Sequence, residues 1–286
     1  MATPPYLTNQ SIRYFIKNAL AEDIGDGDHS SLGSIPKGQI SHARLLIKDH
    51  GIIAGLNLAG RIFHYVDKDI KIDFKKKDGD FVTKGNVGFT VEGNAQAILS
   101  AERLVLNCLQ RMSGIATYTH RMNLLIKGSR SKLLDTRKTT PNFRLPEKWA
   151  VLIGGGYNHR FGLYDMVMLK DNHIDYAGGV TEAILSTVDY LKKNKLNLKI
   201  EVEVRNLEEL EEVIATGHVH RVLLDNMLPS AISEAVRMVG GRMQTEASGG
   251  INEKNIGDIA ETGVDFISVG ALTHSYQSLD MSLKAI

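Results

Sequence analysis

The sequence predicts an α/β protein, with an α+β region over residues 1–114 and a barrel of alternating strands and helices over residues 115–272. The first observation behind this is a rhythm in the second half, where short apolar runs stop at residues able to do chemistry. Leu133-Leu134 leads into Asp135-Thr136-Arg137-Lys138, Met166-Val167-Met168-Leu169 into Lys170-Asp171-Asn172-His173, and Ile200 to Val204 carries Glu201 and Glu203. Val222-Leu223-Leu224 stops at Asp225-Asn226, the stretch around Thr245 at Ser248-Gly249-Gly250, and Phe266-Ile267-Ser268-Val269 at Gly270. The second observation is that helical periodicity fills most of the gaps between these runs. The third is a change of texture in the first half, where apolar and polar residues alternate in short stretches.

Taken in order, Thr8 caps a first helix with Ile12, Phe15, Ile16, Ala19 and Leu20 on one face, ended by Gly25 to Asp28. Arg44 to Lys48, Ile70 to Phe74 and Val87 to Val91 read as strands, with a helix from about Leu56 to Val66 between the first two. Asp78-Gly79-Asp80 reads as a turn. From Ala95 to Ile126 the periodicity is helical, and Gly114 is expected to divide it into two helices. The last residues, from Thr273 to Ile286, follow the final barrel run and are expected to return to the first domain.

Composition excludes more than it proposes. A chain of 286 residues can bury a large core, and 43% hydrophobic with 23% charged residues is ordinary for a globular protein. A net charge of +1 gives no overall reason to expect nucleic acid or a membrane surface. The one cysteine, Cys108, rules out an intramolecular disulfide and lies in an apolar helical stretch, where it reads as a small buried hydrophobe. No basic-then-apolar segment opens the sequence, and no apolar run approaches the roughly 20 residues that span a bilayer. A reducing cytoplasm is the expectation.

The chemistry concentrates after Ser129. Arg137, Lys138, Arg160 and Lys170 sit at or just beyond strand-like runs or a glycine-rich loop, whereas Lys132, Arg144 and Lys148 read as a solvated face. Cations converging on a barrel mouth imply a polyanionic ligand, and arginine forks suit carboxylates or phosphates. Gly249-Gly250 and Gly270 follow the last two runs, where backbone N–H groups commonly hold a phosphate and Ser248 adds a hydroxyl. Gly154-Gly155-Gly156 has no strand leading into it, so it reads as a bend that turns His159 and Arg160 inward. Glu203 and Asp225 end neighbouring strands, and Glu201 shares a face with Glu203, so one strand offers two carboxylates at different depths. Such carboxylates hold Mg²⁺, move protons or stabilise a cationic transition state. The hairpin-rich stretch Asp78 to Gly93 resembles a biotinyl or lipoyl carrier with Lys84 at a tip, but Lys84 lacks the flanking residues of a carrier lysine.

Thr136-Arg137-Lys138-Thr139-Thr140-Pro141, Gly154 to Arg160, Leu169 to His173, Glu201-Val202-Glu203-Val204, Leu224-Asp225-Asn226, Ala247 to Ile251 and Ser268 to Thr273 together resemble the quinolinate phosphoribosyltransferases in order and spacing. Glu22 to Asp28, Ala101-Glu102-Arg103 to Asn107 and Ser113 to Ala116 extend the resemblance over nearly the whole chain. It implies an N-terminal α/β sandwich plus an incomplete α/β barrel. It also implies transfer of a phosphoribosyl group from 5-phosphoribosyl-1-pyrophosphate to quinolinate, with Mg²⁺ and loss of CO₂, in NAD biosynthesis. By the same resemblance Arg137, His159, Arg160 and Lys170 grip the quinolinate carboxylates. Lys138, Glu203 and Asp225 serve Mg²⁺–phosphoribosyl pyrophosphate and catalysis, while Ser248, Gly249, Gly250 and Gly270 hold its 5′-phosphate. Arg103 reaches the quinolinate site of a neighbouring subunit, so a homo-oligomer, at least a dimer, is implied.

Overall fold

The computed structural model describes residues 4–286. In chain order the elements are α1 (Asn9–Ile24), α2 (His29–Ser34), β1 (Ile40–Ile47), β2 (Gly51–Ile52), α3 (Leu56–Val66), β3 (Lys71–Phe74), β4 (Phe81–Val82), β5 (Val87–Asn94), α4 (Ala95–Leu125), β6 (Lys132–Leu134), α5 (Arg144–Ile153) and β7 (Val167–Leu169). There follow α6 (Asp171–Ala177), α7 (Val180–Lys193), β8 (Ile200–Val204), α8 (Leu207–Thr216), β9 (Arg221–Asp225), α9 (Pro229–Val239), β10 (Gln244–Ser248), α10 (Ile256–Glu261), β11 (Phe266–Ser268), α11 (Ala271–His274) and β12 (Met281–Ala285). The chain forms two compact units. One runs to His120 and takes in Lys138–Gly155 and Leu272–Ile286; the other comprises Arg121–Arg137 and Gly156–Ala271. The segment Lys138–Gly155, read as part of the barrel, thus groups with the N-terminal unit.

The first unit is built on an antiparallel sheet in the order β12-β1-β5-β3. The C-terminal strand β12 lies along β1, with Ala285 opposite Ala43 and Met281 opposite Ile47. Thr8 and Ser11 form a reciprocal cap on α1, which buries Ile12, Ile16 and Leu20 and packs on α3. The turn carboxylate Asp78 accepts the N–H groups of Leu56 (2.8 Å) and Asn57 (3.2 Å), capping α3 from 22 residues away. Lys84 lies exposed in the turn between β4 and β5.

Gly114 does not divide α4, which runs unbroken for 31 residues. A side chain there would overlap the Gln277 carbonyl, so the glycine admits a close backbone neighbour instead of breaking the helix. The solvated reading of Lys148 is also overturned. It is fully buried on α5 among Leu145, Ala150 and Val151, its long apolar stem making it part of that helix's inner face. Cys108 is buried as expected, and burial pushes its thiol up to about 12.

The second unit carries a parallel sheet in the order β6-β11-β10-β9-β8-β7. Among the described residues β6 and β7 are its two ends, so the sheet is an open α/β barrel; Tyr157 adds one parallel bridge to Leu134 on the outer side of β6. Helices α7, α8, α9 and α10 succeed one another as neighbours, α8 lying on β8 and α9 on β10. All five residues of β8, Ile-Glu-Val-Glu-Val, are buried. Its apolar side meets the helix layer, and its two glutamates face the barrel interior.

Candidate active site

Within the second unit, the parallel strands bring their carboxyl ends to one side. Glu203 lies one residue before the end of β8, Asp225 closes β9, and Ser248 closes β10 directly opposite Asp225. Lys170 follows β7, Arg137 lies three residues beyond β6, and Gly270 two beyond β11. Lys170 Nζ is paired with Glu203 Oε2, so two residues assigned to different substrates meet before either arrives. The Arg160 guanidinium donates to the Met166 carbonyl at 3.1 Å. Burial first and the Arg137 charge second depress its pKa, against the opposing pull of Glu201 and Asp165, so the two arginines share a half-buried neighbourhood. Two such cations held together favour an anion that bridges them.

Beneath this mouth lies His159, whose side chain is 6% exposed. Its Nε2 stands 2.9 Å from Glu201 Oε2 and 3.4 Å from Glu246 Oε1, and its Nδ1 accepts the peptide N–H of Arg160 at 2.8 Å. The peptide N–H of His159 reaches Asp135 Oδ1 at 2.8 Å, and Asn158 Nδ2 reaches the other oxygen of that buried carboxylate at 2.5 Å. Burial penalises a charged ring, yet the two glutamates draw its pKa up to about 9. The Arg160 N–H opposes them, because a second ring proton would need the lone pair that this bond uses. Burial and the neighbouring Glu246 hold the Glu201 carboxyl above the usual range. Burial also works against ionisation of Glu246, but His159, Arg221 and Ser268 outweigh it and hold that carboxyl at about 2.

The loop after β10 is shaped by close contact. Gly249 has φ 95° and a side chain there would overlap the Asn226 amide; Gly250 has φ 60° and Asn226 itself φ 54°. Asn226 donates its peptide N–H to the Ser248 carbonyl at 2.9 Å and its Nδ2 to Asp225 Oδ2 at 2.7 Å. The Gly250 carbonyl accepts from Asn252 (3.0 Å) and Asn255 (3.1 Å), and α10 begins only at Ile256. The glycines therefore present a side-chain-braced loop, whereas the short helix α11 follows Gly270 at once.

In the first unit Lys138 is exposed, its carbonyl held by the Thr273 hydroxyl at 2.8 Å. It lines a cavity of about 400 Å³ with Arg111, Thr139, Thr140, Thr273, His274 and Tyr276. Arg111, which sequence reasoning passed over, donates twice to Glu147 Oε1 at 2.6 and 2.9 Å and lies over the rings of Phe143 and Tyr276. Arg103 is exposed on α4. A larger cavity in the second unit, about 510 Å³, has Arg205 as its one lining cation against Asp175, Glu208, Glu209 and Glu212. Arg205 is already paired with Asp175 and Glu209, so that acidic hollow does not suit an anionic ligand. Glu246 was also missed; its signal was a glutamate inside the run that ends at Ser248, on the same strand face as Ser248.

Known proteins resemble this chain over nearly its whole length. Residues 26–113 match the family model of the quinolinate phosphoribosyl transferase N-terminal domain, and residues 115–284 that of the C-terminal domain. The chain is 47% identical to the chloroplastic nicotinate-nucleotide pyrophosphorylase [carboxylating] of Arabidopsis thaliana, over 98% of this chain and 84% of that one. It is 40% identical to a probable nicotinate-nucleotide pyrophosphorylase [carboxylating] of Bacillus subtilis, over 97% and 94% of the two chains. The crystal structure of NadC from Streptococcus pyogenes superposes with a TM-score of 0.90 at 38% identity, covering all of both chains. With both domain models matched in order, this chain belongs to the quinolinate phosphoribosyltransferase family.

Proposed function

We propose that this chain transfers the phosphoribosyl group of 5-phosphoribosyl-1-pyrophosphate to quinolinate, releasing pyrophosphate and CO₂ and leaving nicotinate mononucleotide for NAD synthesis. The observation that carries the reading is the cation set Arg137, Arg160 and Lys170 at the strand ends of a barrel of this family. Three cations suit a ring bearing two adjacent carboxylates better than one bearing a single carboxylate. Arg137, Arg160 and Lys170 hold the quinolinate, with His159 beneath them. Glu203 and Asp225 face the ribose; as the C1–pyrophosphate bond breaks, their carboxylates stabilise the positive charge left on the sugar, and the pyridine nitrogen forms the new bond to C1. The ring nitrogen is then cationic, so the C2–carboxylate bond can break with its electron pair stabilised next door, and C2 takes up a proton. Ser248, Gly249, Gly250 and Gly270 are assigned to the 5′-phosphate, and Lys138 to the pyrophosphate, on resemblance.

Glu203 and Asp225 on neighbouring strands would offer hard oxygen donors to Mg²⁺, which would supply charge neutralisation on the leaving group when bound. The buried His159, Glu201 and Glu246 also bring ligand atoms within 4.8 Å of one another, but the imidazole nitrogen among them suits Mg²⁺ less well than an all-oxygen set. We further assign Arg103 to the site of a second subunit; Leu99, one turn earlier on α4, is 43% exposed and provides apolar surface beside it. No helix of the described residues is long and apolar enough to cross a membrane, and with one buried cysteine the reducing cytoplasm is the compartment we assign. The test is incubation with Mg²⁺, phosphoribosyl pyrophosphate and quinolinate labelled in the 2-carboxylate. Labelled CO₂ and nicotinate mononucleotide should appear in equal amounts, and mononucleotide without CO₂, or neither product, would refute the assignment.

A further inference from the structure

The transfer reaction leaves a set of buried groups without a role. Glu201 on β8 and Glu246 on β10 are fully buried, and Arg221 on β9 donates from Nη1 to Glu246 Oε2 at 2.7 Å while its guanidinium lies 4.1 Å from the Phe266 ring centre. Charges so placed cost several kcal/mol each unless partnered, so the arrangement calls for a purpose. The two carboxylates converge on His159, and Arg221 stands behind Glu246. Its Nε2 faces both carboxylates, at 2.9 and 3.4 Å, and its Nδ1 faces the peptide N–H of its successor Arg160 at 2.8 Å. A ring nitrogen that accepts an N–H carries no hydrogen, and one that faces carboxylates must carry it. Both ring nitrogens thereby lie against protein groups.

We propose that Glu201 and Glu246, backed by Arg221, are positioning residues that fix the hydrogen of His159 on Nε2, leaving Nδ1 to grip the Arg160 peptide and so set the backbone from which Arg160 reaches a substrate carboxylate. His159 acts through Arg160 and is itself a positioning residue. The same peptide segment is anchored upstream, where the His159 N–H meets Asp135, and Arg160 is anchored downstream through its guanidinium to the Met166 carbonyl. An arginine held at its peptide by His159 and at its guanidinium by Met166 binds a carboxylate with little loss of freedom. The inference deepens the proposed function and rests on it for the identity of the carboxylate, but not for the state of the ring.

Two measurements test it. Nitrogen-15 NMR of histidine-labelled protein, with the His159 signal assigned by its loss in His159→Gln, reads the ring directly at neutral pH, before and after adding quinolinate alone. Hydrogen on Nε2 and none on Nδ1 in both samples is the expected result; hydrogen on Nδ1 in the free protein, or a ring that changes state when quinolinate binds, would overturn the proposal. Steady-state kinetics of Glu246→Gln should raise KM for quinolinate roughly tenfold with kcat within about threefold and KM for phosphoribosyl pyrophosphate unchanged, as expected when ground-state positioning is lost. An unchanged KM for quinolinate would count against it. Should the wild-type protein fail to turn over quinolinate at all, the proposed function falls, and the ring state still decides this inference.

Discussion

Two strands with the same kind of sequence end in opposite surroundings. In the first unit β3, Lys-Ile-Asp-Phe, leaves three of its four residues exposed, and Lys71 pairs with Glu92 in water. In the second unit β8, Ile-Glu-Val-Glu-Val, alternates just as cleanly and is buried throughout. Alternation therefore says which residues share a face and leaves open what that face meets. On β3 the charged face meets solvent, where an ion pair adds little. On β8 it meets the barrel interior, where a buried carboxylate needs a cation nearby, and each has one or a ring nitrogen at ion-pair distance: Lys170 for Glu203, His159 for Glu201, and beyond these Arg221 for Glu246. The solvent-facing charges should be replaceable, whereas the proposed chemistry and its positioning draw on the interior ones.

The sharpest way to break this contrast is at the mouth. Arg137→Ala should lower kcat/KM for quinolinate by at least about a hundredfold while the circular dichroism spectrum and unfolding midpoint stay close to wild type; normal turnover would remove Arg137 from the site. Gly249→Ala comes next. Its φ of 95° and the overlap with the Asn226 amide should cost about 1–3 kcal/mol in urea unfolding and raise KM for phosphoribosyl pyrophosphate.

The interior charges also predict a pH signature. Glu246 falls from an ordinary value of 4.5 to about 2 on folding, so its ionised form contributes stability that is present above pH 4.5 and lost as pH falls through about 2. Urea midpoints measured across that window should fall more steeply for wild type than for Glu246→Gln, and parallel curves would show that Glu246 is not the anion of the pair. Smaller still is Asp28→Ala, which removes the cap accepting the Ser31 N–H at 3.1 Å and should cost about 1 kcal/mol without altering turnover. Lys71→Ala, at the solvent-facing end of the comparison, should leave both stability and activity indistinguishable from wild type.

What could be read from the sequence divides along the same line. Local signals were legible: Thr8 as a cap, Leu56 to Val66 as an amphipathic helix, and the apolar runs whose ends hold Lys170, Glu203, Asp225 and Ser248. Those signals sit within a few residues of the feature that they specify. The misses required partners far along the chain. Gly114 reads as a break until Gln277 comes against it, Lys148 reads as solvated until α5 is buried, and Asp78, a turn residue as read, gives no local sign that it also caps α3. Glu246 and Arg111 have no motif of their own; their importance lies in Arg221 and His159 for the one, Glu147 and Tyr276 for the other.

The central claim is that the barrel mouth is built for two carboxylates on one ring. Measuring kcat/KM for quinolinate and for nicotinate on the same preparation, with Mg²⁺ and saturating phosphoribosyl pyrophosphate, tests it most directly. The account predicts that quinolinate is preferred by at least about a hundredfold, the worth of one lost charge-assisted carboxylate pair, and equal use of the two acids, or preference for nicotinate, would contradict it.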